Sequence, residues 1–152
     1  MTLPLALTHW LQQQGFDSTD LNSCIDNSMT PLMVAAKEGN STIVDALLAA
    51  GADVNRVNAD GNAALWFACF SQVTAIIANL IQNGAHLNHA NASGSTCLMY
   101  AASAGRLQAV QLLVEAGADL NAHNPDGFTA LDFASTLAIL KYLRAYYAKF
   151  NH

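Results

Sequence analysis

Three histidines are the first residues to weigh for chemistry. His86 and His89 stand three apart, and His123 follows downstream. Imidazoles could open a zinc site, which usually wants four ligands in a tetrahedron. No Cys or carboxylate nearby completes the set, and the histidines fall among turn formers rather than on one helix face. A solvated loop position explains them better. The cysteines Cys24, Cys69 and Cys97 are odd in number and lack metal-type spacing. A reactive thiolate needs a neighbouring cation, a helix N-terminus or a metal. Cys69 and Cys97 fall in or at the start of first helices, Cys97 in the slot of Pro31, with no further sequence signature of an activated thiolate, so these two read as small hydrophobes. There is no G-x-S-x-G elbow, no phosphate-cradling glycine loop and no H-E-x-x-H. No catalytic residue, cofactor or metal is expected, and the chain does not read as an enzyme.

The elements that would position any site follow from composition and period. The chain has 152 residues, 53% of them hydrophobic and only 11% charged. That is too apolar for a disordered chain, which combines few apolar residues with high charge. Net charge is −5, and six Lys and Arg in all do not make the basic stripe of a nucleic-acid binder. No apolar run approaches the roughly 20 residues of a membrane span. Met1-Thr2-Leu3-Pro4-Leu5 has no basic region ahead of its apolar stretch, as a signal peptide would. With an odd number of cysteines, these features point to a reducing cytoplasm, without nucleic-acid or membrane partners, and a monomer is expected.

A phrase then repeats. Gly51-Ala52-Asp53-Val54-Asn55 returns as Gly84-Ala85-His86-Leu87-Asn88 and as Gly117-Ala118-Asp119-Leu120-Asn121, each 33 residues on. Thr30-Pro31-Leu32 keeps the same step through Ala63-Ala64-Leu65, Thr96-Cys97-Leu98 and Thr129-Ala130-Leu131. His86 therefore fills a slot that Asp53 and Asp119 hold elsewhere. Within a copy, Thr30 can cap a helix and Pro31 is tolerated in its first turn. Gly39 ends that helix in a left-handed conformation. Ile43, Val44, Leu47 and Leu48 give the buried stripe of a second helix. Asn58, Asp60 and Gly61 make a turn before the next copy. The unit is hairpin, helix, turn, helix. It cannot bury its own apolar face, so copies must stack.

This pattern resembles the ankyrin-repeat family, whose period it shares. The resemblance implies an all-α solenoid of helix-turn-helix units with β-hairpin loops, capped at both ends. A single domain of residues 1–152 is expected. It comprises an N-terminal cap (1–24), three full repeats (25–57, 58–90 and 91–123) and a shortened repeat with C-terminal cap (124–152). Residues 3–14 read as the capping helix, with Leu7, Trp10 and Leu11 inward. Residues 136–150 read as the closing one. Asn55, Asn88 and Asn121 resemble family asparagines that some dioxygenases hydroxylate, though the same residues belong to the structural pattern.

The family resemblance also implies a function. Such proteins hold another protein through a concave face made of hairpin tips and first helices. On this chain that face takes Met29, Asn62, Ser95 and Phe128 at the tips. The slot after Leu in the Thr-Pro-Leu phrase gives Met33, Trp66 and Met99. Late first-helix positions give Phe70 and Ser103. Trp66 and Phe70 are four apart and share a helix face. Phe70 stands where other copies have Lys37 and Ser103, both polar. Phe67, Tyr100 and Phe133 occupy the next slot and are expected inside or partly inside. The expected function is capture of a partner protein, with inhibition of that partner by occlusion as an alternative, and metal binding on the His86, His89 and His123 side as a remote one. Copy 2 departs from the pattern, with Ala63-Ala64 for Thr-Pro and Gln72 for the terminating glycine. Its first helix is expected to be weakly capped.

Overall fold

A computed structural model describes residues 2–150, so residues 1, 151 and 152 of the expected domain lie outside it. The described residues form helices and loops, with no strand among them. The chain falls into two compact units, Met1–Ala85 and His86–His152.

The first unit opens with α1 (Leu5–Gln14). Leu7, Trp10 and Leu11 are buried. Gly15 ends the helix at φ +87°, a backbone region where only glycine sits without strain. Trp10 stacks on Phe16 across that turn, with ring centroids 6.1 Å apart. The chain continues through a short 3-10 turn (Asp26–Ser28) into α2 (Pro31–Glu38) and α3 (Ser41–Ala49). Then come α4 (Ala64–Ser71) and α5 (Thr74–Gln82). First helices pack on first helices (α2 on α4), and second on second (α3 on α5), with α1 against α3. Ala35, Ala36 and Ala68 are buried at these contacts, where a small side chain lets helix backbones approach. Leu32, Val44, Leu47, Leu65, Ile76, Ile77 and Leu80 fill the core behind them. Each such aliphatic side chain contributes about 1.5–3 kcal/mol by leaving water.

The second unit has α6 (Cys97–Ser103) and α7 (Leu107–Glu115), then α8 (Ala130–Phe133) and α9 (Leu137–Phe150). The α8 helix has only four residues, because the chain turns extended at Ala134 and Ser135 donates its N–H to the Ala102 carbonyl at 3.2 Å. Thr136 then caps α9, its Oγ1 accepting from the Ile139 N–H at 3.2 Å. Ile139 and Leu143 bury one face of α9. Tyr147 donates its hydroxyl to Asn121 Oδ1 at 2.7 Å, tying the closing helix to the third Gly-to-Asn phrase.

Capping follows the sequence slot by slot. Thr30 Oγ1 accepts from Met33 N–H at 3.3 Å, and Thr96 Oγ1 from Met99 N–H at 3.2 Å. In α4 the cap slot is Ala63, which has no side chain to offer. The same helix ends on Gln72 at φ +63°, in the conformation Gly39 adopts at φ +70°. An L-residue there is strained by about 1–2 kcal/mol. The expected hairpins are tighter than strands. Their backbone pairing reduces to an isolated bridge between Ile25 and Met29 and to five-residue loops.

Candidate functional site

The loop tips are built by asparagine. Asn58 donates its N–H to the Asn62 carbonyl at 3.0 Å, and its Oδ1 accepts from the N–H groups of Asp60 and Asn62, both at 3.0 Å. Asn91 and Asn124 make the same pair of side-chain contacts with Ser93 and Ser95, and with Asp126 and Phe128. Two tip N–H groups are thus satisfied by one side-chain carbonyl oxygen, a role that Asn and Asp fill best at this position. The three stand 33 apart, a signal visible in the sequence yet read there only as turn propensity at Asn58. Copy 1 has Ile25 in this slot. Its tip instead puts Asn27 and Ser28 at positive φ.

The first two tips are joined directly. Ala59 donates its N–H to the Asn27 carbonyl at 3.0 Å, and Asn27 Nδ2 donates to Asp60 Oδ2 at 3.0 Å. Asp26 lies exposed beside Asn27. Asn58 Nδ2 also reaches Met29 Sδ at 3.4 Å, so Met29 is half-buried and supports the tip. Asn62 and Ser95 are half-buried as loop-closing residues.

The stripe expected along the first helices divides. Met33 is 0% exposed and Met99 2%. Both belong to the core, and their assignment to a binding face is corrected. The cause is geometric. Each stands at the third position of its helix, where the side chain tilts back toward the helix start. Met33 Sδ there accepts the Thr30 N–H at 3.4 Å. Both methionines lie on helices that pack on another first helix, α2 on α4 and α6 on α8. The larger Trp66, in the same slot of α4, is half-buried, and Phe70 one turn later is 47% exposed. In the second unit, Ser103 is exposed with its hydroxyl donating to the Tyr100 carbonyl at 2.9 Å. Phe128 is 50% exposed, its ring edge-on to Phe133 at 6.1 Å between centroids. Phe67, Tyr100 and Phe133 are half-buried.

The repeat-ending asparagines hold successive copies together. Asn22 Oδ1 accepts from Asp53 N–H at 3.0 Å, and Asn88 Oδ1 from Asp119 N–H at 2.8 Å. Asn55 Nδ2 donates to the Gly84 carbonyl at 3.0 Å. With Tyr147 on Asn121, every copy of this slot carries a fixed structural contact. Cys24 is exposed, whereas Cys69 and Cys97 are buried. His86, His89 and His123 are exposed. Among the described residues, no group of three or more His, Cys, Asp or Glu is placed to hold a metal ion. No helix among the described residues is long and apolar enough to cross a membrane.

Among the described residues, Asp17 and Tyr142 titrate away from their ordinary values. Thr19 donates its hydroxyl and N–H to Asp17 and holds that carboxyl below the usual carboxylate range. Burial, with the charge of Glu115, pushes the Tyr142 phenol above 10.0.

The family model for ankyrin repeats in three copies matches residues 4–91 and 73–152, and the chain belongs to the ankyrin-repeat family. Members of this family are generally protein–protein interaction modules and typically not enzymes. No curated protein sequence matches the chain.

Proposed function

We propose that this chain is a binding module that captures a partner protein, with the outward side of α4 and the adjoining loop tips as its main contact. The observation that carries the reading is Phe70. A phenylalanine nearly half exposed stands in a slot that holds Lys37 and Ser103 in other copies, so the repeat pattern does not require it. Trp66 lies one turn before it on the same face, and paired aromatics of this kind dominate interface energetics. Asn62 flanks them at the tip. In the second unit, taken by itself, Ser95, Ser103 and Phe128 are the candidate contacts. The buried Met33 and Met99 take no part.

The test is affinity capture from the native cell with wild type, Phe70→Ala and Trp66→Ala/Phe70→Ala in parallel. Phe70→Ala removes mainly exposed surface, so its far-UV circular dichroism and Tm stay near wild type while capture drops. A Phe70→Ala protein that captures the same partner with undiminished yield refutes the reading.

A further inference from the structure

The charge of the molecule is not shared between its two units. Residues 1–85 carry seven acidic and two basic side chains, a net −5, while residues 86–152 carry four of each. The entire formal charge therefore belongs to the unit that carries Trp66 and Phe70. Two of its carboxylates are held at the joined tips. Asp26 is exposed, and Asp60 is fixed by Asn27 Nδ2 at 3.0 Å. Asp60 precedes the first turn of α4, where Trp66 stands, by one short loop. At the far end of the neighbouring α2, Lys37 and Glu38 cancel one another. Exposed carboxylates at the joined tips and the aromatic pair of α4 thus belong to one unit of net −5.

We infer that the partner segment recognised here is cationic, with Arg or Lys side chains set beside an aromatic or aliphatic anchor. The inference rests on the α4 reading above and specifies the chemistry of its ligand. The anchor packs on Phe70, and the cation lies toward Trp66 and the tip carboxylates. A guanidinium suits both surfaces, because its planar face stacks on an aromatic ring while its edge donates to a carboxylate. Steering toward an acidic unit raises the association rate and fades as salt screens beyond about 10 Å at 0.1 M. An acidic or phosphorylated segment meets repulsion at the same tips, and nucleic acid meets a unit of net −5.

The experiment selects binders from a phage-displayed random 12-residue peptide library against the full chain. Selected peptides are then synthesised with a fluorophore and their Kd measured by anisotropy. The expected pools are enriched in Arg or Lys adjacent to Leu, Phe or Trp. Affinity falls about fivefold or more between 50 and 300 mM NaCl. Asp26→Asn weakens binding several-fold and Asp26→Lys more, while Asp60→Asn, which retains the acceptor for Asn27, weakens it comparably. Phe70→Ala removes most of it. Peptides that require Phe70 but are neutral or acidic and ignore the Asp26 variants overturn the cationic inference and leave the α4 reading standing. Peptides indifferent to Phe70→Ala overturn both, as does a selection that yields no peptide above background. Circular dichroism of each variant separates loss of contact from loss of fold.

Discussion

Copy 2 is underbuilt, and the structure says by how much. Ala63 sits at φ −95° and ψ 176°, close to the φ −86° and ψ 164° at which Thr30 caps α2. A threonine at 63 therefore needs no backbone change to present its hydroxyl to the Trp66 N–H. A helix cap of this type contributes about 1 kcal/mol. The gain here falls at the lower end, about 0.5 kcal/mol, because Trp66 N–H already reaches the Ala63 carbonyl at 3.1 Å. At the other end of α4, Gln72→Gly removes the strain of a side chain at φ +63°, about 1–2 kcal/mol. The extra freedom of glycine in the unfolded chain offsets about 0.5–1 kcal/mol of that. The two changes lie at opposite ends of one helix and share no partner, so they add. The sum is about 0.5–2 kcal/mol, or a rise in Tm of about 1–8 °C for a chain of this size. Urea melts of wild type, each single variant and the double variant measure it. The expected result is a higher midpoint with an unchanged slope. A Gln72→Gly protein that melts lower than wild type refutes the reasoning, since the left-handed Gln72 would then owe its conformation to a favourable contact of its own side chain.

Other outcomes follow from the same geometry. Asn58→Ala leaves the Asp60 and Asn62 N–H groups without their acceptor in a loop where Asn58 is buried. It lowers stability by about 1–3 kcal/mol, whereas Asn58→Asp, which keeps the oxygen, loses less by the same urea melt. Gly94→Ala drives a Cβ into the Pro125 ring at a backbone φ of +80°. It costs at least about 1–2 kcal/mol, with hydrogen exchange rising around residues 91–95. Met33→Ala opens a cavity in the core and costs about 2–5 kcal/mol, and because Met33 is buried, peptide affinity per folded molecule stays near wild type. Tyr142 is held neutral by burial and by Glu115, so its pKa in the fold lies above 10.0. Its contribution is fully present below pH 10 and is lost as pH rises through the folded value. Tyr142→Phe flattens that alkaline limb in a pH series of thermal melts, and an unchanged limb counts against the cause.

The sequence by itself settled the architecture. A 33-residue period carried by Gly-to-Asn and Thr-Pro-Leu phrases demands stacked helical pairs, since no single pair can bury its own apolar stripe. Capping was legible too, because a cap is a local event between residues three apart. Thr30 and Thr96 cap where their types say, and Ala63 fails where its type says. What the sequence could not decide was which side of a first helix remains in water. Met33, Trp66 and Met99 occupy one slot and read as one row. Yet the methionines fold back into packed helix pairs, and Trp66 stays half in solvent with Phe70 beside it. Period fixes register along the helix, but burial depends on what the next helix covers and on the volume of the side chain. The joining of the first two tips through Asn27 and Asp60 was equally out of reach. Those residues are distant in the chain, and only the stacking of one copy on the next places an amide of one against a carboxylate of the other.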